Sequence, residues 1–519
     1  MQLAILHYHL NRGGVTQAIL NHLESLATCP PEERPERVAL VFCGRREGWP
    51  DATWQKDLPF DCRLIAVPPL DYDSTIGAEP EALAEAIAHG LAEVGFKLTE
   101  TVLHTHNHAL GKNASLPGAL ARLATRGCRL LLQVHDFAED SRPANYRRLL
   151  RSLRAHSAEE LAGTLYPQGS GVHYATLTGR DRGLLSAAGV PVDRLHLLPN
   201  PVTEFRDLPS ADDARLRLRQ GLGLAGDARV VVYPVRGIRR KNVGEMLLHN
   251  ALAGPEVCYA VTLAPENPVE RASFDRWQDL SEKLELGCRF DIGVSGGVRF
   301  VDALAGADAM ITTSVAEGFG MVFLEAWLAG QPLVGRNLPA ITGDFAASGL
   351  KYPGLRDRFR VPTAWLQTDL VRRHVLELHT WMCRDFNREP PPETAEELDA
   401  LLATGSIDFA ALPSLSQAEV IGRVAQDREG ALEQIAACNE GFGAARHLDA
   451  AGQEQLIEAN AARVRSEYSP EAVGKRLAAI YRTVMADSPA EEVEPAPAGA
   501  SILASFLSLD QLCPVRVEA

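Results

Sequence analysis

Short apolar runs alternate with segments of helical periodicity through the first part of the chain. After a polar break at 11–14, apolar residues recur at helical spacing at Ile19, Leu23 and Leu26. The runs that predict strands are 2–9, 37–43, 62–67, 101–106, 128–135 and 174–178. Nearly continuous apolar strands separated by helices are typical of a parallel sheet covered on both faces.

A second series of the same kind follows the first. It predicts a helix over 211–220 and strands over 229–234, 257–263, 309–313 and 332–334. A single core stops growing near roughly 250–300 residues, so a chain of 519 residues predicts two doubly wound units. The predicted domains are 1–205, 206–469 with an irregular elaboration at 346–455, a helix at 470–486 that crosses back to the first domain, and a linker and tail at 487–519. Residues 487–500, rich in Ala, Pro and Glu, predict the flexible part of that linker.

Composition and charge exclude several classes of protein. Hydrophobic residues make up 46% and charged residues 23% of the chain, which is an ordinary globular balance. The net charge of −15 is a poor match for nucleic acid or an anionic membrane. No secretory signal or membrane-spanning run is found, and the nine cysteines include no CxxC pair. We therefore expect a cytoplasmic protein with reduced thiols and no stable membrane insertion.

The most informative stretch is a Gly-rich turn between a predicted strand and a predicted helix. Backbone amides around Gly318–Val322 are left unpaired at the start of that helix and predict an anion site. Glu317 at its mouth is suited to accept hydrogen bonds from sugar hydroxyls, and Glu325 lies eight residues further on. The simpler alternative is a helix with an acidic first turn and no ligand.

The densest basic run of this acidic chain occupies 235–242, directly after the strand predicted at 229–234. Ligands of open α/β sheets bind at that end of a strand. Arg236 and Lys241 supply a bidentate fork and a point charge, which suit a diphosphate. The alternative is a solvated surface loop.

Two further patterns have weaker functional interpretations. Residues 221–226 match GxGxxG, but a helix precedes them and a strand follows, which is the reverse of a dinucleotide site. His104, His106 and His108 alternate at a strand end, as zinc ligands can. No matching Asp/His set recurs at later strand ends, so we assign no metal. These histidines are expected to be partly buried polar residues or the wall of an acceptor pocket.

Taken in order, the motifs resemble those of the retaining glycosyltransferases of family four, which have the GT-B fold. Glu317…Glu325 resembles the Glu-x7-Glu signature of that family, and Arg236…Lys241 resembles its Arg/Lys diphosphate clamp. Gly13-Gly14 resembles its N-terminal Gly-Gly loop, and 198–202 its interdomain P-N-x-V element. The resemblance covers roughly residues 1–345 and 455–485, and it implies two Rossmann-like domains that face each other across a cleft.

The resemblance also implies roles for individual residues. Catalytic roles fall to His135 near the reacting carbon, to Arg236 and Lys241 at the leaving diphosphate, and to Glu317 at the donor sugar. The residues implied in donor binding are Gly13, Gly14, Asn200, Gly318, Phe319, Gly320, Met321, Val322 and Glu325, of which Glu325 would bind the ribose. No metal or other cofactor is implied, because the clamp supplies the positive charge.

The function expected on this basis is retaining transfer of a hexose, with glucose or mannose favoured, from a nucleoside-diphosphate sugar to a soluble hydroxyl acceptor. The helical segment 15–27 carries no Lys or Arg, which favours a small molecule or saccharide over a lipid as acceptor. A homodimer remains open. The alternatives are a GT-B nucleotide-sugar epimerase or disaccharide phosphorylase or synthase, and a non-catalytic nucleotide-sugar binding protein.

Overall fold

The chain forms two compact units in a computed structural model that describes residues 1–74, 76–442 and 450–517. Unit 1 comprises Met1–Thr203 and Ser466–Ser508, and unit 2 comprises Glu204–Arg465 and Leu509–Ala519. Residues 443–449 of the predicted elaboration and 518–519 of the predicted tail lie outside the described residues.

Unit 1 is built on a parallel sheet of seven strands in the order β3-β2-β1-β4-β5-β7-β8. Its strands, with the short β6, are β1 Gln2–Leu6, β2 Arg37–Phe42, β3 Asp61–Ala66, β4 Thr101–His106, β5 Arg129–Val134, β6 Pro167–Gln168, β7 Val172–Thr176 and β8 Leu195–Leu197. The chain runs outward from β1 through β2 to β3, then returns to place β4 on the other side of β1. The strand order therefore reverses between β1 and β4, which is where ligands bind in such sheets.

The long helices of unit 1 pack their apolar faces on that sheet. The helices that precede unit 2 are α1 Gly14–Ala27, α2 Ala52–Lys56, α3 Pro80–Glu93, α4 Ser115–Thr125, α5 Pro143–Leu153, α6 Ala158–Leu165 and α7 Gly179–Ala187. Ile19 and Leu23 of α1 share one buried cluster with Leu477 and Tyr481, which come from near the end of the chain.

Unit 2 repeats the plan with a six-stranded parallel sheet in the order β11-β10-β9-β12-β13-β14. Its sheet strands are β9 Arg229–Arg236, β10 Val257–Leu263, β11 Cys288–Arg289, β12 Ala309–Thr312, β13 Leu333–Arg336 and β14 Leu355–Arg356. Val230, Val232 and Ala260 form its core with Leu218. The strand order reverses between β9 and β12, so the loops that follow these two strands lie side by side.

Residues after β14 form an elaboration of unit 2 made of helices and one antiparallel strand pair, β15 Arg360–Pro362 with β16 Ser406–Asp408. The unit 2 helices are α8 Ala211–Gly221, α9 Val243–Ala253, α10 Pro268–Lys283, α11 Phe300–Gly306, α12 Val322–Leu328, α13 Pro339–Ala347, α14 Thr368–Asp385, α15 Thr394–Leu402, α16 Ser414–Gln426 and α17 Arg428–Cys438. The buried Arg336 donates to Glu245 Oε2 at 2.6 Å and to Asp408 Oδ1 at 2.7 Å, and so ties the elaboration to the sheet.

The last part of the chain contains α18 Ala450–Tyr468, α19 Pro470–Ala486, β17 Glu494–Pro495, α20 Ala500–Phe506 and α21 Pro514–Val517. Pro470 is the first residue of α19, and the Ser469 side chain caps this helix by accepting a hydrogen bond from the amide of Ala472. Helix α19 lies in unit 1 and packs on α1, whereas α21 lies in unit 2.

The flexible linker expected at 487–500 is not observed. This segment lies along unit 1 in extended form, where β17 pairs with β6 and the amide of Ala498 donates to the carbonyl of Ala188 at 3.0 Å. Asp487 accepts a hydrogen bond from the amide of Gly171 at 2.9 Å. Composition misled the prediction because Pro is tolerated in an edge strand, and the partner strand is far away in sequence.

The predicted fold class of two doubly wound parallel-sheet units is confirmed. Strand 2–9 is shorter than predicted and ends at Leu6, since the polar stretch from His7 to Asn11 forms the loop before α1. In the described part of the chain, no helix combines the length and the apolar character needed to cross a membrane.

Candidate active site

The basic loop (residues 235–242) and the Gly-rich turn (residues 314–321) follow the two neighbouring strands at the reversal point of unit 2. The basic loop leaves β9 and makes a short 3-10 turn over Arg239–Lys241. It ends at Asn242, which adopts a left-handed conformation (φ 46°) that Asn tolerates better than most residues. The amide of Val315 donates to the carbonyl of Arg240 at 2.9 Å, which joins the two segments directly.

The centre of this arrangement is an ion pair between Lys241 and Glu317. The Lys241 ammonium contacts Glu317 Oε1, and the two side chains are 12% and 7% exposed. Ser314 Oγ also donates to Glu317 Oε1 at 2.6 Å, and Arg240 Nη1 lies 3.8 Å from Glu317 Oε2. A carboxylate thus stands among two cations and a hydroxyl, at the edge where the sequence predicted an anion site.

Tyr233 of β9 and Thr313, the residue after β12, hold the backbone of Lys241. Its carbonyl accepts from Tyr233 Oη at 3.1 Å and from Thr313 Oγ1 at 2.9 Å. Tyr233 is fully buried and its hydroxyl also lies 2.7 Å from Ser314 Oγ. No local sequence pattern marks this bracing, because it depends on β9 and β12 being neighbours.

The charges at the ion pair shift both pKa values. Burial raises the pKa of Glu317, but the charges of Lys241 and Arg240 outweigh it, so the net pKa lies below the usual value. Burial lowers the pKa of Lys241, and the Glu317 carboxylate opposes that shift. Glu317 is therefore ionised at neutral pH and helps to keep Lys241 protonated.

The Gly-rich turn presents backbone donors beside the ion pair. Within the described residues, the amides of Gly318, Gly320 and Met321 donate to no protein acceptor. Gly320 has φ 82°, and a Cβ there would lie 2.6 Å from the Phe323 ring, so only glycine fits.

Two predicted donor-binding residues in this segment have buried side chains. Phe319 packs edge to face on Phe345 at 5.4 Å between ring centroids, and Val322 is 7% exposed. Their side chains belong to the core of unit 2, so they can serve a ligand only through the backbone.

Glu325 and Arg236 stand apart from the ion pair. Burial raises the pKa of Glu325, and its carboxylate has no hydrogen-bond or ionic partner among the described residues. Arg236 Nη1 pairs with Glu266 Oε1 at 2.6 Å, and Glu266 is exposed. The two predicted clamp residues are thus held by different carboxylates, one at the surface and one in the interior.

In unit 1, His135 lies at the carboxyl end of β5, as the sequence indicated. His135 Nε2 is 2.8 Å from Nδ1 of the buried His106, and the backbone amide of His135 donates to Asn107 Oδ1 at 2.8 Å. Asn107 has φ 56° and accepts from the Asp136 amide as well, at 3.1 Å. Burial lowers the pKa of His135 to about 4, so the ring is neutral and only Nδ1 is left for a ligand.

For the remaining predicted residues of unit 1, no contact among the described residues explains why these residue types occupy their positions. Gly13 is extended, and a Cβ built on Gly14 would meet nothing within 4 Å, so the fold itself does not require glycine at either position. Asn200 Oδ1 is buried and has no hydrogen-bond partner among the residues that the structure describes. All three remain predictions as binding residues.

The alternating histidines lie in the interior of unit 1 and not at its rim. His104, His106 and His108 are fully buried, and His22 of α1 stacks beside the first two. His22, His104 and His106 bring ligand atoms within 4.8 Å of one another. Both nitrogens of His104 already have partners, Tyr481 Oη at 2.8 Å and Gln133 Oε1 at 2.9 Å.

The GxGxxG match at 221–226 joins α8 to β9, so a helix does precede it and a strand does follow it.

The chain is similar to one curated protein in sequence and to solved structures in fold. No protein-family model matches the chain. The chain is 26% identical over 422 residues to mannosylglucosyl-3-phosphoglycerate synthase of Petrotoga mobilis, covering 79% of each protein. A glycosyltransferase of Rickettsia africae superimposes with a TM-score of 0.51 at 12% identity, over 93% of this chain and 98% of that one. Anabaena HepE, solved with UDP and glucose, gives a TM-score of 0.49 at 14% identity, over 93% and 99% of the two chains. The two doubly wound parallel-sheet units thus have the GT-B fold, as in the Rickettsia glycosyltransferase, and the motifs resemble those of family four.

Proposed function

We propose that this glycosyltransferase moves a hexose, with glucose or mannose favoured, from a nucleoside-diphosphate sugar to a soluble hydroxyl acceptor with retention of configuration. The observation that carries the proposal is the buried Lys241–Glu317 ion pair beside the unpaired amides of Gly318, Gly320 and Met321. Cations and free amides at a strand-order reversal are suited to a diphosphate. The carboxylate among them is suited to sugar hydroxyls.

The chemistry that we assign to these groups is stabilisation of the leaving group. The bond between the anomeric carbon and the diphosphate oxygen breaks, which builds negative charge on the diphosphate and positive charge on the sugar. Lys241, Arg236 and the turn amides would balance the negative charge. The acceptor oxygen would attack the same face, its proton would pass to the leaving phosphate, and we assign no protein nucleophile.

The other predicted residues take supporting parts in this proposal. Glu317 would hold Lys241 in its charged form and accept hydrogen bonds from the donor sugar. The unpartnered carboxylate of Glu325 would accept from the ribose hydroxyls. We assign the free Nδ1 of His135 to a polar contact with the sugar, since its other nitrogen is occupied by His106.

The Petrotoga relative gives a first pair of substrates to test. Its name identifies the product as mannosylglucosyl-3-phosphoglycerate. We therefore place glucosyl-3-phosphoglycerate and a mannosyl nucleotide first among the candidates for this chain. All nine cysteines are free, which supports a reaction in the reducing cytoplasm.

The proposal is tested by incubating the full chain with UDP-, GDP- and ADP-linked glucose and mannose, with the acceptor and with EDTA. Nucleotide release and the anomeric configuration of the product are measured, the latter by NMR. We expect acceptor-dependent release with one donor and an α product from an α donor.

Other outcomes would replace the proposal. A β product would overturn retention, and turnover that requires a divalent cation would overturn the assignment of the charge to the clamp. Nucleotide release without acceptor would favour an epimerase, and dependence on free phosphate would favour a phosphorylase. Donor binding without turnover across all acceptors would favour a binding protein.

A further inference from the structure

We propose that unit 1 binds the acidic group of an anionic acceptor, a phosphate or a carboxylate, at a surface that we call the Tyr72 platform. It consists of Tyr72, His9, Arg45 and Lys112. The proposal rests on the proposed function, because it names the class of acceptor for that reaction, but the anion site itself can be tested without turnover.

The platform lies at the strand-order reversal of unit 1. His9 follows β1 and Lys112 follows β4, and these are the two strands between which the order reverses. Arg45 follows β2, the next strand outward. The crevice outside the carboxyl ends of such strands is the usual ligand position in open α/β sheets.

The contacts of Tyr72 gather two cations around one exposed ring. Its ring is 5.5 Å from Arg45 Cζ and 5.2 Å from Lys112 Nζ, and its hydroxyl is 3.0 Å from His9 Nε2. Tyr72 is 40% exposed, which is high for a large aromatic side chain held by three neighbours. Aromatic rings that carry cations at a ligand-binding edge are suited to a polar, charged ligand with some apolar surface.

Among the described residues, one of the cations at the platform has no acidic side chain as a partner. Arg45 Nε donates to Asp71 Oδ2 at 3.0 Å, and Arg148 pairs with Asp73 at 3.9 Å. Lys112 has no acidic partner within the described residues and rests on the Tyr72 ring. A cation–π contact at a partly exposed site is weaker than a hydrogen bond to a phosphate or carboxylate, so an incoming anion can recruit this ammonium.

The backbone around these side chains is already fixed. Asn113 Nδ2 donates to the carbonyls of Pro69 and Asp71, at 2.9 Å and 2.8 Å. The Asp73 amide donates to the carbonyl of Lys112 at 2.9 Å, and the Leu10 amide to that of Arg45 at 2.8 Å. The loop after β3 is therefore tied to the loop after β4, and the loop after β1 to the loop after β2, before any ligand arrives. This lowers the entropy lost on binding.

A row of rings connects the platform with His135 along the same edge of the sheet. The centroid of His9 is 5.6 Å from His7, and that of His7 is 6.5 Å from His106. His106 in turn stacks on His135 at 5.1 Å. The anion site and the histidine assigned to the sugar thus share one face of unit 1.

The test measures binding of 3-phosphoglycerate, glycerate and glycerol to the full chain by calorimetry, in the wild type and in Lys112→Gln and Arg45→Gln variants. The matched control is Lys97→Gln, which removes the same charge at the opposite end of β4, where Lys97 pairs with the exposed Glu100. We expect 3-phosphoglycerate to bind and each platform variant to weaken it by about tenfold, as for loss of one charged hydrogen bond. The control should bind like the wild type, and glycerol should not bind.

The acceptor assay separates this inference from the proposed function. With an active donor, Lys112→Gln should raise the acceptor KM by a similar factor and leave the donor KM unchanged. If anion binding depends on Lys112 but no sugar is transferred, the proposed function is wrong and the anion site stands. If both platform variants transfer sugar with an unchanged acceptor KM, the anion site is wrong and the proposed function stands. Absence of 3-phosphoglycerate binding to the wild type would also overturn the site.

Discussion

His104 Nδ1 lies 2.8 Å from the hydroxyl of Tyr481, a residue 377 positions later in the chain. The contact joins β4 to α19 in the interior of unit 1, beside the imidazoles of His22 and His106. Several histidines thus share one buried core, and their protonation is coupled to its stability.

We expect unit 1 to be sensitive to mild acid. Burial lowers the pKa of His7 and His104 to about 3 and that of His108 to about 4, and it holds His22 and His106 well below the usual value. The unfolded chain binds these protons below about pH 6.5, whereas the folded chain does not, so stability falls as pH drops from there toward the folded pKa values. Each such histidine should remove about 1.4 kcal/mol of unfolding free energy per pH unit. Urea unfolding at pH 7.5, 6.5 and 5.5 measures the slope.

The variant His22→Leu tests the source of that slope. Both ring nitrogens of His22 are buried without a hydrogen-bond partner in the described part of the chain. The change should therefore raise stability at pH 7.5 by about 1–3 kcal/mol and flatten the acid dependence. His89→Leu, at a residue whose side chain is 76% exposed, is the control and should change neither. An unchanged slope in His22→Leu would contradict the account. A loss of stability on adding EDTA to the wild type alone would indicate a metal ion at His22, His104 and His106.

Lys241→Ala should lose stabilisation of the leaving diphosphate. Removal of one donor to a developing anion costs about 2–4 kcal/mol, so kcat/KM should fall roughly 30- to 1000-fold. Steady-state nucleotide release measures the change. Lys283→Ala, at an exposed position at the end of α10, serves as the control for charge loss in the same unit. Equal activity of the two variants would remove Lys241 from the mechanism.

Glu317→Gln should move the basic limb of the pH–rate profile to lower pH. Burial already lowers the pKa of Lys241, and the Glu317 carboxylate is the largest influence that opposes it. An amide in its place lets Lys241 lose its proton at a lower pH, so activity should decline earlier as pH rises. Glu266→Gln removes the carboxylate beside Arg236, which does not titrate in this range, and should leave the limb in place. If the basic limb moves in both variants, the group that titrates there is not controlled by the Lys241–Glu317 ion pair.

Glu325→Gln should weaken nucleotide binding with little effect on kcat. The carboxylate has no partner in the described part of the chain, so a hydrogen bond to ribose would be its main interaction. Loss of a charged hydrogen bond should raise the Kd for the nucleoside diphosphate by about 10- to 100-fold. Calorimetry with the nucleotide measures this, with Glu282→Gln, at an exposed position of α10, as the control. An equal loss in kcat and affinity would mean that Glu325 acts in the chemical step.

Val515→Asp should lower turnover although residue 515 lies far from the motifs in sequence. Helix α21 packs beside the turn Arg239–Lys241 within unit 2, and Val515 is 6% exposed. A buried charge there should release α21 from that turn and loosen the position of Lys241. Asp510→Ala, at an exposed position of the same segment, keeps this packing and is the control. Turnover equal to the wild type in Val515→Asp would show that the clamp does not need the tail.

The patterns along the chain predicted those features that depend on neighbours in sequence. Apolar runs located the central strands of both sheets, and β4 begins and ends where its run does. The charge density of 235–242 and the glycines of 314–321 identified two loops at the carboxyl ends of strands. The 487–500 segment was the main failure, because the strand that it pairs with lies more than three hundred residues earlier.

By itself, the sequence determined the two doubly wound units, because strand and helix periodicities are local and each apolar face must be covered. It also located the basic loop and the Gly-rich turn from which the diphosphate site is predicted. Only the tertiary structure decided that β9 and β12 are neighbours, and with that the pairing of Lys241 with Glu317 and the bracing by Tyr233. It likewise buried the Phe319 ring, joined His106 to His135 and gathered two cations on Tyr72. These relationships depend on strand order, which brings distant loops to one edge, and no local pattern encodes that order.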